Sequence, residues 1–281
     1  MSAPHETNRL QRRGIRKGIY VVPSLFTIGN IFCGFYAVIN ALKACQNLQQ
    51  PQLVASLFEN AALAIGLAYL LDGLDGRIAR LTGATSEFGV ELDSIADVIS
   101  FGIAPAVLAY TWGYGTLAGA EKLGWGVSFF FLIFGALRLA RFNVLARAPR
   151  FDTPGTTPKL DKRYFVGLPI PAAAGLTAAF VYFNPQQLPG SSGITRNWVL
   201  MAVVLLVSFL MVSTFRYASF KDLGPRSQQP FLVFPLMAVL IFSIYYYSRW
   251  MFLLMAIVYV AHGPMMKIWG VLNRFRRDPS A

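Results

Sequence analysis

The acidic residues of this chain are concentrated where an acid is expensive. Seven of its 13 Asp and Glu residues (Glu59, Asp72, Asp75, Glu87, Glu91, Asp93, Asp97) fall within one stretch of 39 residues, the rest of which is mostly apolar or glycine. Asp72 and Asp75 are spaced i, i+3 and Asp93 and Asp97 i, i+4, so on helices each pair shares a face. The linker LTGATSE supplies Gly83 to end a first helix and Thr85 or Ser86, followed by Glu87, to cap a second. Counted from a turn between Gly83 and Ala84, the pairs lie 8.5 to 11.5 residues before it and 9.5 to 13.5 after it, about 13–20 Å from the helix ends. They meet at similar depth. Four carboxylates so close are either partly protonated or compensated by cations. An all-oxygen donor set without His or Cys selects Mg²⁺, Mn²⁺ or Ca²⁺ over Zn²⁺. Four carboxylates suit two such ions about 4 Å apart, an arrangement made for phosphoryl transfer. Gly76 and Gly89 leave room for a ligand against the backbone, and Arg77 and Arg80 place guanidinium groups at the cavity mouth.

The elements that must position these residues are membrane helices. Of the 281 residues 55% are hydrophobic and only 14% charged, with mean hydropathy +0.50, which excludes an ordinary soluble enzyme. The 23 Phe, 12 Tyr and 5 Trp exclude a disordered chain. Segments of about 20 apolar residues predict an all-α polytopic membrane protein of eight spans: Ile19–Ala41, Leu53–Leu71, Phe88–Trp112, Trp125–Leu139, Phe165–Phe183, Trp198–Phe215, Phe231–Tyr247 and Met251–Trp269. The second and fourth helices are expected to continue to about Leu81 and Val144. The expected division is a basic segment 1–18, a membrane domain 19–270 and a tail 271–281, without internal repeats.

With both termini in the cytoplasm, 21 of the 25 Lys and Arg residues lie on that side, as the positive-inside rule requires. The net charge of +12 therefore reads as an insertion signal with affinity for anionic lipid, and no nucleic-acid partner is expected. The basic head RLQRRGIRKG runs into a first span with no small-residue cleavage site, so a retained helix is expected. Cys33 and Cys45 are too far apart along one helix to pair.

Asp72-Gly-Leu-Asp75-Gly76-Arg-Ile-Ala79-Arg80, eight residues, Gly89, three residues, Asp93, three residues and Asp97 match the eight fixed positions of D-x2-D-G-x2-A-R-x8-G-x3-D-x3-D. This resembles the CDP-alcohol phosphatidyltransferase family. The resemblance implies a helical membrane enzyme, usually a homodimer, that moves a phosphatidyl group from CDP-diacylglycerol to an alcohol and releases CMP. By position it implies that Asp72, Asp75, Asp93 and Asp97 bind two divalent cations, Mg²⁺ or Mn²⁺. Asp97 would also take the proton of the attacking hydroxyl. Gly76, Ala79, Arg80, Ser86 and Gly89 would contact the CDP-lipid, with Arg80 on the diphosphate. Four further segments, PSLFTIGNIFCGF, DSIADVISFGIAPA, RLARFN and FVGLPIPAAAG, look like the bacterial branch of that family whose alcohol is L-serine. That branch implies the bacterial inner membrane as location, with the site facing the cytoplasm.

For the serine carboxylate the expected contacts are Arg138, Arg141 and Asn143 at the cytoplasmic end of the fourth span, Arg138 and Arg141 on one face. The plainer reading of those arginines is that they reach lipid headgroups. Arg77 reads the same way. Glu59 and Glu91 are expected to pair with basic neighbours, and Asn30 to make an interhelical hydrogen bond. Competing functions are the same transfer to glycerol 3-phosphate, inositol phosphate or choline, and an ion-coupled transporter. Transport would require the inverted repeat that the sequence lacks.

Overall fold

The computed structural model describes residues 5–82, 86–117, 119–147, 164–186, 190–218 and 230–277. The described residues are almost entirely helical. A helix His5–Gln46 (α1) runs unbroken through the basic head into the first span, and after a four-residue turn a second, Pro51–Thr82 (α2), folds back against it. The seam between them is built from small residues. Ala37, Ala41 and Ala44 on α1, and Ala61, Ala64 and Ala68 on α2, are all buried, so the two backbones approach closely in the manner of small-residue membrane interfaces. Phe58 and Ile65 fill the remaining space.

The third span is three pieces in line. Helix Glu87–Asp97 (α3) begins at Ser86, which is extended (φ −124°, ψ 152°) and whose hydroxyl accepts from the Gly89 amide at 3.0 Å. Ser86 is thus the capping residue, while Gly83 and Thr85 lie outside the described residues. At Asp97 the helix widens into a π-helical segment, Val98–Ile103, before returning to α-helix at Ala104–Trp112 (α4). Insertions of this kind cluster at functional sites because they redirect the side chains around them. Here the widened turn lies against α1. Ser100 is fully buried and donates to the Asn30 carbonyl at 2.8 Å, and a Cβ on Gly34 would come within 2.7 Å of Ser100 Cα.

Helix Glu121–Arg147 (α5) is the fourth span, extended beyond its apolar part as expected. The fifth is a correction. Instead of a helix from Phe165, residues Tyr164–Val166 form a short strand (β1) paired antiparallel with Arg216–Ala218 (β2), and the helix that follows, Ile170–Phe183 (α6), has only 14 residues. The cause is local: Gly167 turns with φ +81°, and Pro169 is extended with ψ 137° and caps a helix that Pro171 then opens. At 1.5 Å per residue α6 spans about 21 Å, short of a bilayer core of roughly 30 Å.

Helix Gly190–Val212 (α7) and a long final helix, Pro230–Arg277 (α8), complete the chain. In α8 the helix breaks at Tyr247 (φ −126°, ψ 38°), the boundary expected between the seventh and eighth spans. Among the described residues, six helices are long and apolar enough to cross a membrane: Leu25–Gln46, Pro51–Ile78, Glu87–Trp112, Glu121–Leu145, Ile194–Val212 and Tyr246–Trp269. Of the eight expected spans, the fifth is the short α6, and the side chains of nearly all of Phe231–Tyr247 lie outside the described residues. The core gathers Phe101, Leu108, Trp112, Phe131 and Met211 between α4, α5 and α7. At the end of α4, Trp112 donates to the Pro185 carbonyl at 3.2 Å and carries the Arg196 guanidinium 4.0 Å above its ring.

Candidate metal centre and its surroundings

The α2–α3 hairpin brings the carboxylates together as the spacing predicted. One oxygen each from Asp72, Asp75 and Asp93 lie within 4.8 Å of one another. Asp97, one turn beyond Asp93, is within hydrogen-bonding reach of Asp72. Asp75 is the most enclosed of the four, at 5% exposure, and its Oδ2 accepts from the Thr27 hydroxyl of α1 at 3.1 Å.

The donor set fits a divalent cation. It is all carboxylate oxygen, and Oδ1 of Asp93 and Oδ1 of Asp97 are buried without a hydrogen-bond partner, a costly condition for an acceptor unless something charged completes it. Among the described residues, the ion pair that stands out is elsewhere, between Arg249 and Glu59 at 3.0 Å, so Glu59 has the basic partner its sequence called for.

The guanidinium of Arg138, from α5, is an electrostatic neighbour of Asp97, and its Nε is buried without a partner. Arg141 is exposed. The two expected serine contacts therefore part company: three residues along a helix that leaves the protein interior, one faces the carboxylates and the other the surroundings. Asn143 uses its amide Nδ2 to donate to Ser94 Oγ at 2.8 Å, tying α5 to α3 between Asp93 and Asp97. Gly76 is half-buried beside Asp75, and Arg77 is exposed. Ala79 and Arg80 continue α2 toward the turn, but their side chains lie outside the described residues. Ser86 and Gly89 are joined at the start of α3, where free amides and the helix dipole favour an anion.

One expectation about α1 needs revision. The Asn30 side chain is fully buried but neither amide atom has a partner; the interhelical bond at this position runs instead through its backbone carbonyl to Ser100. The residue of α1 whose side chain reaches the centre is Thr27, one turn earlier. Its signal was present, a hydroxyl three residues before Asn30 in an apolar helix.

Tyr259, on α8, left no such signal. Its phenol is an electrostatic neighbour of both Arg138 and Tyr69, and its ring lies 5.9 Å from that of Tyr217 on β2. Tyr217 is fully buried and donates to the Val260 carbonyl at 3.3 Å. Burial, with a smaller contribution from Tyr259, pushes its phenol up to about 12, so it remains a protonated donor. Gly263 lies flat against the same ring, with no room for a Cβ. Together these contacts fasten α8 to β2 beside the carboxylates.

The family model for CDP-alcohol phosphatidyltransferase matches residues 20–212, which takes in the hairpin and every expected site residue. A protein of Helicobacter pylori named CDP-diacylglycerol–serine O-phosphatidyltransferase is 38% identical over 255 residues, covering 86% of this chain and 95% of its own. Proteins of the same name from Methanocaldococcus jannaschii, 32% identical over 80% of this chain and 89% of their own length, and from Mycobacterium tuberculosis, 34% identical over 72% and 62%, are also similar.

Proposed function

Because the chain belongs to the CDP-alcohol phosphatidyltransferase family, we propose that it transfers the phosphatidyl group of CDP-diacylglycerol to the hydroxyl of L-serine, giving phosphatidylserine and CMP. The observation that carries this reading is the meeting of Asp72, Asp75 and Asp93 within 4.8 Å, with Asp97 against them, at the signature positions of a chain whose relatives bear the name of the serine reaction.

Bound by these four aspartates, two Mg²⁺ or Mn²⁺ ions supply charge neutralisation on the diphosphate. The chain's own groups do the rest. Arg80 and the Ser86–Gly89 turn hold the diphosphate, with Gly76 and Ala79 allowing the nucleotide close to α2. The unpartnered Nε of Arg138 receives the serine carboxylate. Asp97 takes the proton of the serine hydroxyl, whose oxygen attacks the lipid-linked phosphorus in line. The bond from that phosphorus to the CMP oxygen breaks, and CMP departs. Arg141, expected to share the carboxylate, is exposed and reaches headgroups instead, and Asn143, also expected there, ties α5 to α3 through Ser94.

The same reading takes the protein as a homodimer in a bacterial inner membrane, with eight spans of which the short α6 is the fifth, both termini in the cytoplasm and the site opening there. The division 1–18, 19–270 and 271–281 goes with it.

The test is CMP release from CDP-diacylglycerol by the purified protein with Mn²⁺ or Mg²⁺, comparing L-serine, glycerol 3-phosphate, inositol phosphate, choline and no acceptor. Serine-dependent release that falls about 10²- to 10⁴-fold in Asp97→Asn, the usual weight of a general base, is the expected result. Release with another alcohol alone overturns the acceptor, and no metal-dependent release with any alcohol overturns the reaction.

A further inference from the structure

Helix α1 carries no member of the aspartate signature, yet it touches both helices that do. Thr27 reaches α2 at Asp75, and the Asn30 carbonyl holds Ser100 in the widened turn just after Asp97. Beyond these points Gly34 and the alanine seam let α1 approach closely. The Thr27–Asp75 bond is enclosed, with 4% and 5% of the two residues exposed. The Thr27 hydroxyl donates across the helix interface to a carboxylate.

We propose that Thr27 is a positioning residue for the metal centre, holding Oδ2 of Asp75 so that the carboxylate presents its other oxygen toward Asp72 and Asp93. A carboxylate is free to turn about its last bond and to offer either oxygen or both. The Thr27 hydroxyl on Oδ2, with the Gly76 amide as a local donor to the same carboxylate, fixes its plane and leaves an oxygen for the cation, which is how outer hydrogen bonds tune metal ligands elsewhere. Without the hydroxyl, Asp75 would keep its place on α2 and lose the donor that ties its orientation to α1. The inference rests on the metal reading of the four aspartates and goes one shell beyond it.

The test is direct Mn²⁺ binding to the purified full-length protein, followed by the paramagnetic resonance of free Mn²⁺, in wild type, Thr27→Val, Thr27→Ser and Asp93→Asn. Valine keeps the shape and removes the hydroxyl; serine keeps the hydroxyl. The expected result is Mn²⁺ affinity weakened about 10- to 100-fold in Thr27→Val, restored in Thr27→Ser and lost in Asp93→Asn. Affinity in Thr27→Val within about twofold of wild type, or Thr27→Ser as weak as Thr27→Val, overturns the positioning role while leaving the metal centre standing. No Mn²⁺ binding by wild type, or undiminished binding by Asp93→Asn, overturns the metal centre itself and the inference with it. Should Thr27→Val lose its cooperative thermal unfolding, Thr27→Ala against Thr27→Ser provides the same comparison.

Discussion

Arg138 and Arg141 are three residues apart on α5, and their sequence context treats them alike. Their surroundings differ. Arg138 stands beside Asp97 with an orphaned buried Nε, and a guanidinium so placed has donors to spare for a carboxylate. Arg141 is exposed at the end of the span, where a long cationic side chain reaches headgroups. Arg138→Met is therefore expected to raise KM for serine by at least about tenfold, the cost of losing a charged hydrogen bond, with KM for CDP-diacylglycerol little changed. Arg141→Met should leave both within about twofold. Steady-state kinetics with each substrate varied in turn decides it, and equal effects of the two substitutions would remove Arg138 from the serine site. The same residue-level contrast marks the reach of sequence reading. That Asp72, Asp75, Asp93 and Asp97 would meet followed from helical rise and the position of the turn. Which of two arginines faces inward depends on how α5 is rotated against α3, and that is set by contacts such as Asn143 with Ser94, which no local pattern announces.

At the scale of elements, the junction of α1 with the π-helical segment Val98–Ile103 is where close packing and site geometry coincide. Gly34 is required there by space: a Cβ would press on the Ser100 backbone at 2.7 Å. Gly66, on α2, has nothing within 4 Å of the same added atom. Gly34→Ala is expected to destabilise the protein by about 1–3 kcal/mol, the usual cost of overpacking, and to lower CMP release by displacing the turn that follows Asp97. Gly66→Ala should be neutral or stabilising by up to about 1 kcal/mol. Thermal unfolding of the two variants in detergent measures the difference, and equal midpoints would mean that α1 yields at this contact. Neither the widened turn nor the shortened α6 was legible beforehand. Hydropathy reports that a segment is apolar and takes no account of how many residues make a turn, so DVISFGIA reads as ordinary helix. In FVGLPIP the apolar count outweighed Gly167 and two prolines, although those residues carried the local information that β1 ends and α6 begins there. Tyr259 was hidden for another reason. It enters the site because α8 is fastened to β2 through Tyr217 and Gly263, a long-range contact between segments more than forty residues apart.

For the whole molecule, orientation in the membrane decides which compartment supplies serine and CDP-diacylglycerol and receives CMP. The charge distribution argues for the cytoplasm, since the last turns of α2 before the hairpin carry Arg77 and Arg80, and seven Lys and Arg residues fall between Arg138 and Arg163. The two cysteines make this measurable without altering the protein. Cys33 is buried within the first span, whereas Cys45 is exposed near the end of α1, on the opposite side from the hairpin turn because α2 runs back from there to Thr82. If the site faces the cytoplasm, a membrane-impermeant maleimide applied to intact cells labels Cys45. In Cys45→Ser no labelling remains, because Cys33 is enclosed. A cysteine introduced at Ser2 should react only after the membrane is permeabilised. Labelling of that introduced cysteine in intact cells, with Cys45 silent, would invert the protein and put the aspartates on the side without cytidine nucleotides, where the proposed reaction has no substrate.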